Sequence, residues 1–117
     1  MGKIHIEYSA QFEGRDPEGV DITTMAESPR SEGLRMSRVA FPTDTRTRWH
    51  SHAGGQLLYL VSGLGDVRIK GGETASLAPG EAYWTEGGTC HQHGAAGSAE
   101  AVFTVATVGG TDWHGCD

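Results

Sequence analysis

Seven short stretches rich in β-branched and apolar residues recur along this chain between glycine- or proline-bearing breaks: VDITTM, LRMSRVAF, QLLYLVS, GDVRIKG, ETASLA, AYWTE and AVFTVATV. Segments of this length and composition, closed by residues that permit tight turns, read as strands. No window places apolar residues at helical spacing with caps, and 18 glycines in 117 residues would weaken any long helix. The expected class is all-β and antiparallel, a sandwich or small barrel. FEGRDPEG and AESPRSEG read as polar turns or loops, and the closing TDWHGCD carries no strand pattern.

A chain of 117 residues is one domain, 1–117, able to bury roughly two thirds of its unfolded surface. Fifteen acidic against nine basic residues give a net charge of −6, which repels phosphate backbones and anionic lipid, so neither nucleic acid nor a membrane surface is an expected partner. No run approaches the ~20 apolar residues of a membrane span, and MGKIHIEYSAQFEG interleaves charges where a signal peptide needs an apolar stretch. The expected location is cytoplasmic. In that reducing compartment Cys90 and Cys116 are expected to be thiols.

Four of the six histidines fall in two pairs, His50/His52 and His91/His93. On a strand, residues i and i+2 face one side, about 6.6 Å apart along the chain, so each pair can aim both imidazoles into one interior while Trp49 and Ser51 face away. After His52 the AGG segment can turn tightly, and Gln56 opens the next strand with its amide returned toward the same spot. A single His-x-His is ordinarily a solvated or hydrogen-bonded strand pair. Two pairs in a domain with only two other histidines point to a shared ion. Nitrogen and oxygen donors without thiolate suit one divalent transition metal, Mn, Fe, Ni or Zn, at about 2.0–2.2 Å. The sequence offers no Ser-His-Asp set, phosphate-binding glycine loop or zinc-ribbon spacing, and the glycines of LVSGLGDVRIKGGE serve hairpin turns.

These residues resemble the cupin superfamily. Its first motif runs Gly, five residues, His-x-His, three or four residues, Glu, six residues, Gly. HSHAGGQLLYLVSG supplies His50, His52, Gln56 in place of Glu, and Gly63, with Asp44 where the opening Gly would stand. LAPGEAYWTEGGTCHQHG matches the second motif through Pro79, Gly80 and His91, without its closing Asn. The resemblance covers about residues 34–108. WHSHAGGQ, PGEAYW and HQHGA are similar to the WH-x-H-x3-Q, PGD-x2-W and HWHGA of small single-domain cupins (monocupins) that include the manganese-dependent hydroxynitrile lyases.

That resemblance implies a double-stranded β-helix, or jelly-roll barrel, with a core at about 34–108. It implies a homodimer in which residues 1–33 take part. By the same resemblance the metal ligands are His50, His52, Gln56 and His91. His93 is then a general acid or base beside the ion, or a histidine hydrogen-bonded in the barrel wall. Arg48 shares a face with His50, where it either steadies an anionic substrate or lies along the barrel mouth. Met36, Arg38 and Ala40 alternate on a strand expected to line the cavity, and Phe103, Val105 and Thr107 share a face. Tyr83 and Trp84 lie on opposite faces, one in core or interface and the other nearer the cavity, while Cys90 points away from the metal. The expected function is a metal-dependent, non-redox enzyme (lyase, isomerase, dehydratase or cyclase) acting on a small, possibly anionic, molecule. The alternatives are an Fe(II) dioxygenase and a non-catalytic small-molecule-binding cupin.

Overall fold

The fold is that of a computed structural model, which describes residues 13–15, 21–27 and 33–116. The strands among these are β1 (Glu13–Arg15), β2 (Asp21–Glu27), β3 (Leu34–Phe41), β4 (Ser51–His52), β5 (Gln56–Gly63) and β6 (Gly65–Ile69), followed by β7 (Thr74–Leu77), β8 (Ala82–Thr85), β9 (His91–Ala95), β10 (Ala101–Val108) and β11 (Thr111–Asp112). One sheet runs β1-β2-β3-β10-β5-β8, facing a sheet β7-β6-β9 and the two-stranded β11-β4. Single bridges Arg46↔Gly94 and His50↔His91 carry the free side of β9 onto residues 46–50. The result is a double-stranded β-helix barrel.

Register layers the interior. β10 pairs with β3 and β5 so that Phe103 stands beside Val39 and Leu60, and Val105 beside Ser37 and Leu58. All are buried, and all but Ser37 join Phe41, Val67, Leu77, Ala95 and Ala101 in one core cluster. Phe41 and Phe103 meet edge to face with centroids 5.5 Å apart, a geometry that contributes about 0.5–1.5 kcal/mol beyond area burial. At the other end of the same strands the interior turns polar. Thr107 is flanked by Arg35 and Gln56, and Gln56 in turn pairs with Thr85. That polar end faces the histidines.

The seven expected strands all form, and several details differ from the sequence reading. Glu13–Arg15, inside the expected loop FEGRDPEG, pairs with β2. The tail forms β11 against β4, a two-residue ladder too short to show a period. On β3 the buried residues are Ser37, Val39 and Phe41, so Met36, Arg38 and Ala40 face outward rather than lining the cavity. Tyr83 is the inner of the aromatic pair, packed on the core, while Trp84 is 45% exposed beside Leu57. Cys90 and Cys116 are joined in a disulfide with Cα atoms 5.8 Å apart, not left as thiols, because the tail folds back across the barrel and brings them together. The expectation that residues 1–33 pack in a dimer falls largely outside the described residues. Among them, β1 and β2 extend the larger sheet beyond β3.

Candidate metal centre

His50 and His91 exchange both backbone hydrogen bonds, His50 N to His91 O at 3.0 Å and His91 N to His50 O at 2.8 Å. Residues paired this way project their side chains to the same side. Their rings lie 4.4 Å apart between centroids. This approach needs a neighbour without a side chain: a Cβ on Gly94 would collide with Arg46 Cα and Thr45 O, where β9 crosses residues 45–47. Two residues on from each, His52 and His93 enter the same space. His52 has its ring 4.9 Å from that of His50 and 5.2 Å from that of His91, and His93 stacks 6.1 Å from His91. All four histidines and Gln56 are buried. The ligand atoms of His50, His91 and His93 lie within 4.8 Å of one another.

Hydrogen bonds set what each ring offers. His50 Nδ1 lies 2.7 Å from Arg48 O and His91 Nδ1 lies 3.0 Å from Thr89 O. A carbonyl only accepts, so Nδ1 carries the hydrogen in both rings and the neutral Nε2 keeps its lone pair. His52 Nδ1 contacts Thr111 Oγ1 at 2.9 Å, and its buried Nε2 has no hydrogen-bond partner. Gln56 donates its side-chain N–H to Thr107 Oγ1 at 2.9 Å, which leaves Oε1 facing His91 Nε2 at 3.0 Å. Both atoms of that last contact are lone-pair donors. Two ligands at about 2.1 Å from one ion and at right angles to it would stand about this far apart. The residues therefore fit a divalent transition ion.

Burial keeps the rings neutral. It is the first cause lowering His50 to a pKa of about 4 and His52 to about 3, followed by repulsion between the imidazoles themselves. His91 is also lowered by burial. His93 is held well below the ordinary value, first by burial and then by the neighbouring histidines. Phe41 and Phe103 each present to it at 5.2 Å, and neither of its ring nitrogens has a hydrogen-bond partner. A neutral imidazole binds metal or accepts a proton without first losing one.

Residues 37–107 match the sequence profile of the family described as Cupin domain. The chain is a cupin. This cupin is 34% identical over 77 residues to the (R)-mandelonitrile lyase of Granulicella tundricola, an alignment covering 66% of the present chain and 59% of that relative. A cupin-like protein from Thermotoga maritima superposes with a TM-score of 0.75 at 25% identity, covering 86% of this cupin and 85% of the other chain. An RmlC-like cupin family protein with a double-stranded β-helix fold from Methanocaldococcus jannaschii superposes with a TM-score of 0.70 at 13% identity, covering 93% of each.

The fold brings His50, His52, Gln56, His91 and His93 into one cluster in this cupin. Arg48 contributes its backbone carbonyl to His50, and its guanidinium makes no ion pair among the described residues. Four functional neighbours went unread in the sequence. Thr107 orients Gln56, and its shared face with Phe103 and Val105 was the available signal. Thr111 contacts His52, Trp113 covers His50 with centroids 4.4 Å apart, and Arg35 donates to Thr111 Oγ1 at 3.4 Å. No local pattern in TDWHGCD marks those contacts.

Proposed function

We propose that this cupin is a metal-dependent enzyme that acts on a small molecule without redox chemistry, as a lyase, isomerase, dehydratase or cyclase. His50, His52, Gln56 and His91 would hold one ion of Mn, Fe, Ni or Zn, with His93 beside it. The observation that carries this reading is the convergence of four buried histidines on Gln56, whose Oε1 stands 3.0 Å from His91 Nε2, a spacing that two ligands of one ion would take. The unpartnered Nε2 of His52 is open to the same ion, as are the unpartnered ring nitrogens of His93. When bound, the ion supplies Lewis acidity toward a carbonyl, hydroxyl or carboxylate oxygen.

The chain's own residues do the rest. Three imidazoles and an amide are neutral as a set, so they leave an ion's charge undiminished for an anionic ligand. His93 would offer a neutral ring nitrogen beside the ion to a proton leaving the substrate, with its basicity reduced by burial. Phe41 and Phe103 keep water from it. Similarity to a protein named as a lyase supports the non-redox class. One observation favours a second ligand set: the mutual approach of His50, His91 and His93, which would put His93 on the ion in place of His52.

The test is turnover under argon of α-hydroxynitriles, hydroxy acids and enolisable ketones by metal-loaded protein. Turnover that is abolished by chelator, restored by metal and indifferent to oxygen is expected. Turnover that consumes oxygen would instead make the protein a dioxygenase.

A further inference from the structure

Residues 109–116 lie beyond the stretch that matches the cupin family, yet two of them contact the clustered histidines. β11 pairs with β4, setting Thr111 opposite His52 and Asp112 opposite Ser51. The Thr111 hydroxyl meets His52 Nδ1 at 2.9 Å, and the Trp113 indole lies over the His50 ring, tilted by 32°. Asp112 Oδ1 then accepts from His114 N at 3.0 Å and Gly115 N at 2.8 Å, turning the chain toward the barrel. That turn delivers Cys116 to Cys90, the residue before His91. Lys70 Nζ donates to Cys116 O. At its other end the segment is held by Ala53 N to Gly110 O at 3.0 Å and Gly54 N to Val108 O at 2.8 Å. It is a strap fastened on both sides of the site.

An imidazole that binds an ion through Nε2 needs its Nδ1–H held by an acceptor, which fixes both tautomer and ring direction. His50 and His91 find acceptors two residues back in their own sequence, Arg48 O and Thr89 O. His52 meets the Thr111 hydroxyl, an acceptor when Nδ1 carries the hydrogen, 59 residues away on the strap. A ladder of two residue pairs is too short to hold that acceptor in place by itself. The disulfide ties the strap's far end to the strand that carries His91.

We propose that residues 109–116 form a ligand-positioning strap, in which Thr111 directs His52 toward the ion and the Cys90–Cys116 bond holds Thr111 in position. This rests on the reading of His52 as a metal ligand. Thr111 is a positioning residue, since it acts through His52.

The probe is Co(II), titrated calorimetrically into the oxidised protein at neutral pH, with visible absorption reporting coordination. Thr111→Val should lose about 10- to 100-fold in affinity, and Thr111→Ser, which keeps the hydroxyl, should recover it. Cys116→Ser keeps the threonine but frees the strap, so affinity should fall in the same direction. The double variant Thr111→Val/Cys116→Ser should then lose no more than Thr111→Val alone, because both changes remove one contact. Parent-like affinity in Thr111→Val overturns the proposal, and should that variant not fold, parent-like affinity in Cys116→Ser does so. A His52→Ala control separates the two levels: if it binds Co(II) as tightly as the parent, the ligand assignment itself fails, and the strap's role with it.

Discussion

Thr107 accepts the side-chain amide hydrogen of Gln56 at 2.9 Å, and with the amide held this way Oε1 faces His91 Nε2 at 3.0 Å. Thr107→Val removes the acceptor and leaves the buried N–H unsatisfied, at a cost of about 1–3 kcal/mol. The amide is then free to turn its N–H toward His91. The expected result is a loss of about 10- to 100-fold in affinity for divalent metal, read by calorimetry, with the fold retained by circular dichroism.

Gln56→Glu tests why an amide stands where most cupin motifs carry a carboxylate. Glutamate adds a charged oxygen donor, so divalent metal should bind as tightly or more tightly. The same charge cancels part of the ion's pull on anions, so azide affinity and non-redox turnover should decline. If the variant binds azide and turns over like the parent, Gln56 is only a geometric prop.

The first histidine pair was legible because its period matches a strand, and Gln56 because AGG returns the chain to the same spot. The orientation of β3 was not legible: Arg35 and Ser37 stand on one face with Val39 and Phe41, Arg38 on the other with Met36 and Ala40, so polarity does not choose. Register with β10 chooses, placing Ser37 beside Val105 and Val39 beside Phe103. The role of the tail was hidden for a similar reason. Thr111 and Cys116 act through residues 59 and 26 positions away, and local pattern carries no information about such contacts.

His52→Ala and His93→Ala separate the two candidate ligand sets. On the proposed set, His52→Ala loses most bound metal, while His93→Ala keeps it and loses turnover. His93→Ala also opens a cavity between Phe41 and Phe103, so its melting temperature should fall. Elemental analysis of both purified variants checks this, and the reverse pattern puts His93 on the ion.

Stability of the metal-free protein should fall on acidification. His50 and His52 titrate near 4 and 3 when folded but near 6.5 when unfolded, so between those values the unfolded chain binds more protons. Their contribution is fully present above about pH 6.5 and is lost as pH falls toward the folded values, by about 1.4 kcal/mol per pH unit for each histidine. Urea midpoints across that window read the slope. Bound metal should raise the midpoint at neutral pH and dissociate as protons compete for the same nitrogens.

The most direct test of the metal centre is anomalous scattering from a crystal of the metal-loaded protein, collected on both sides of the metal's absorption edge. The account predicts one peak per chain, within about 2.0–2.3 Å of Nε2 of His50, His52 and His91 and of Oε1 of Gln56. A peak bound by His93 with His52 and Gln56 turned away would contradict the ligand set, and no peak among these residues would contradict the metal centre itself.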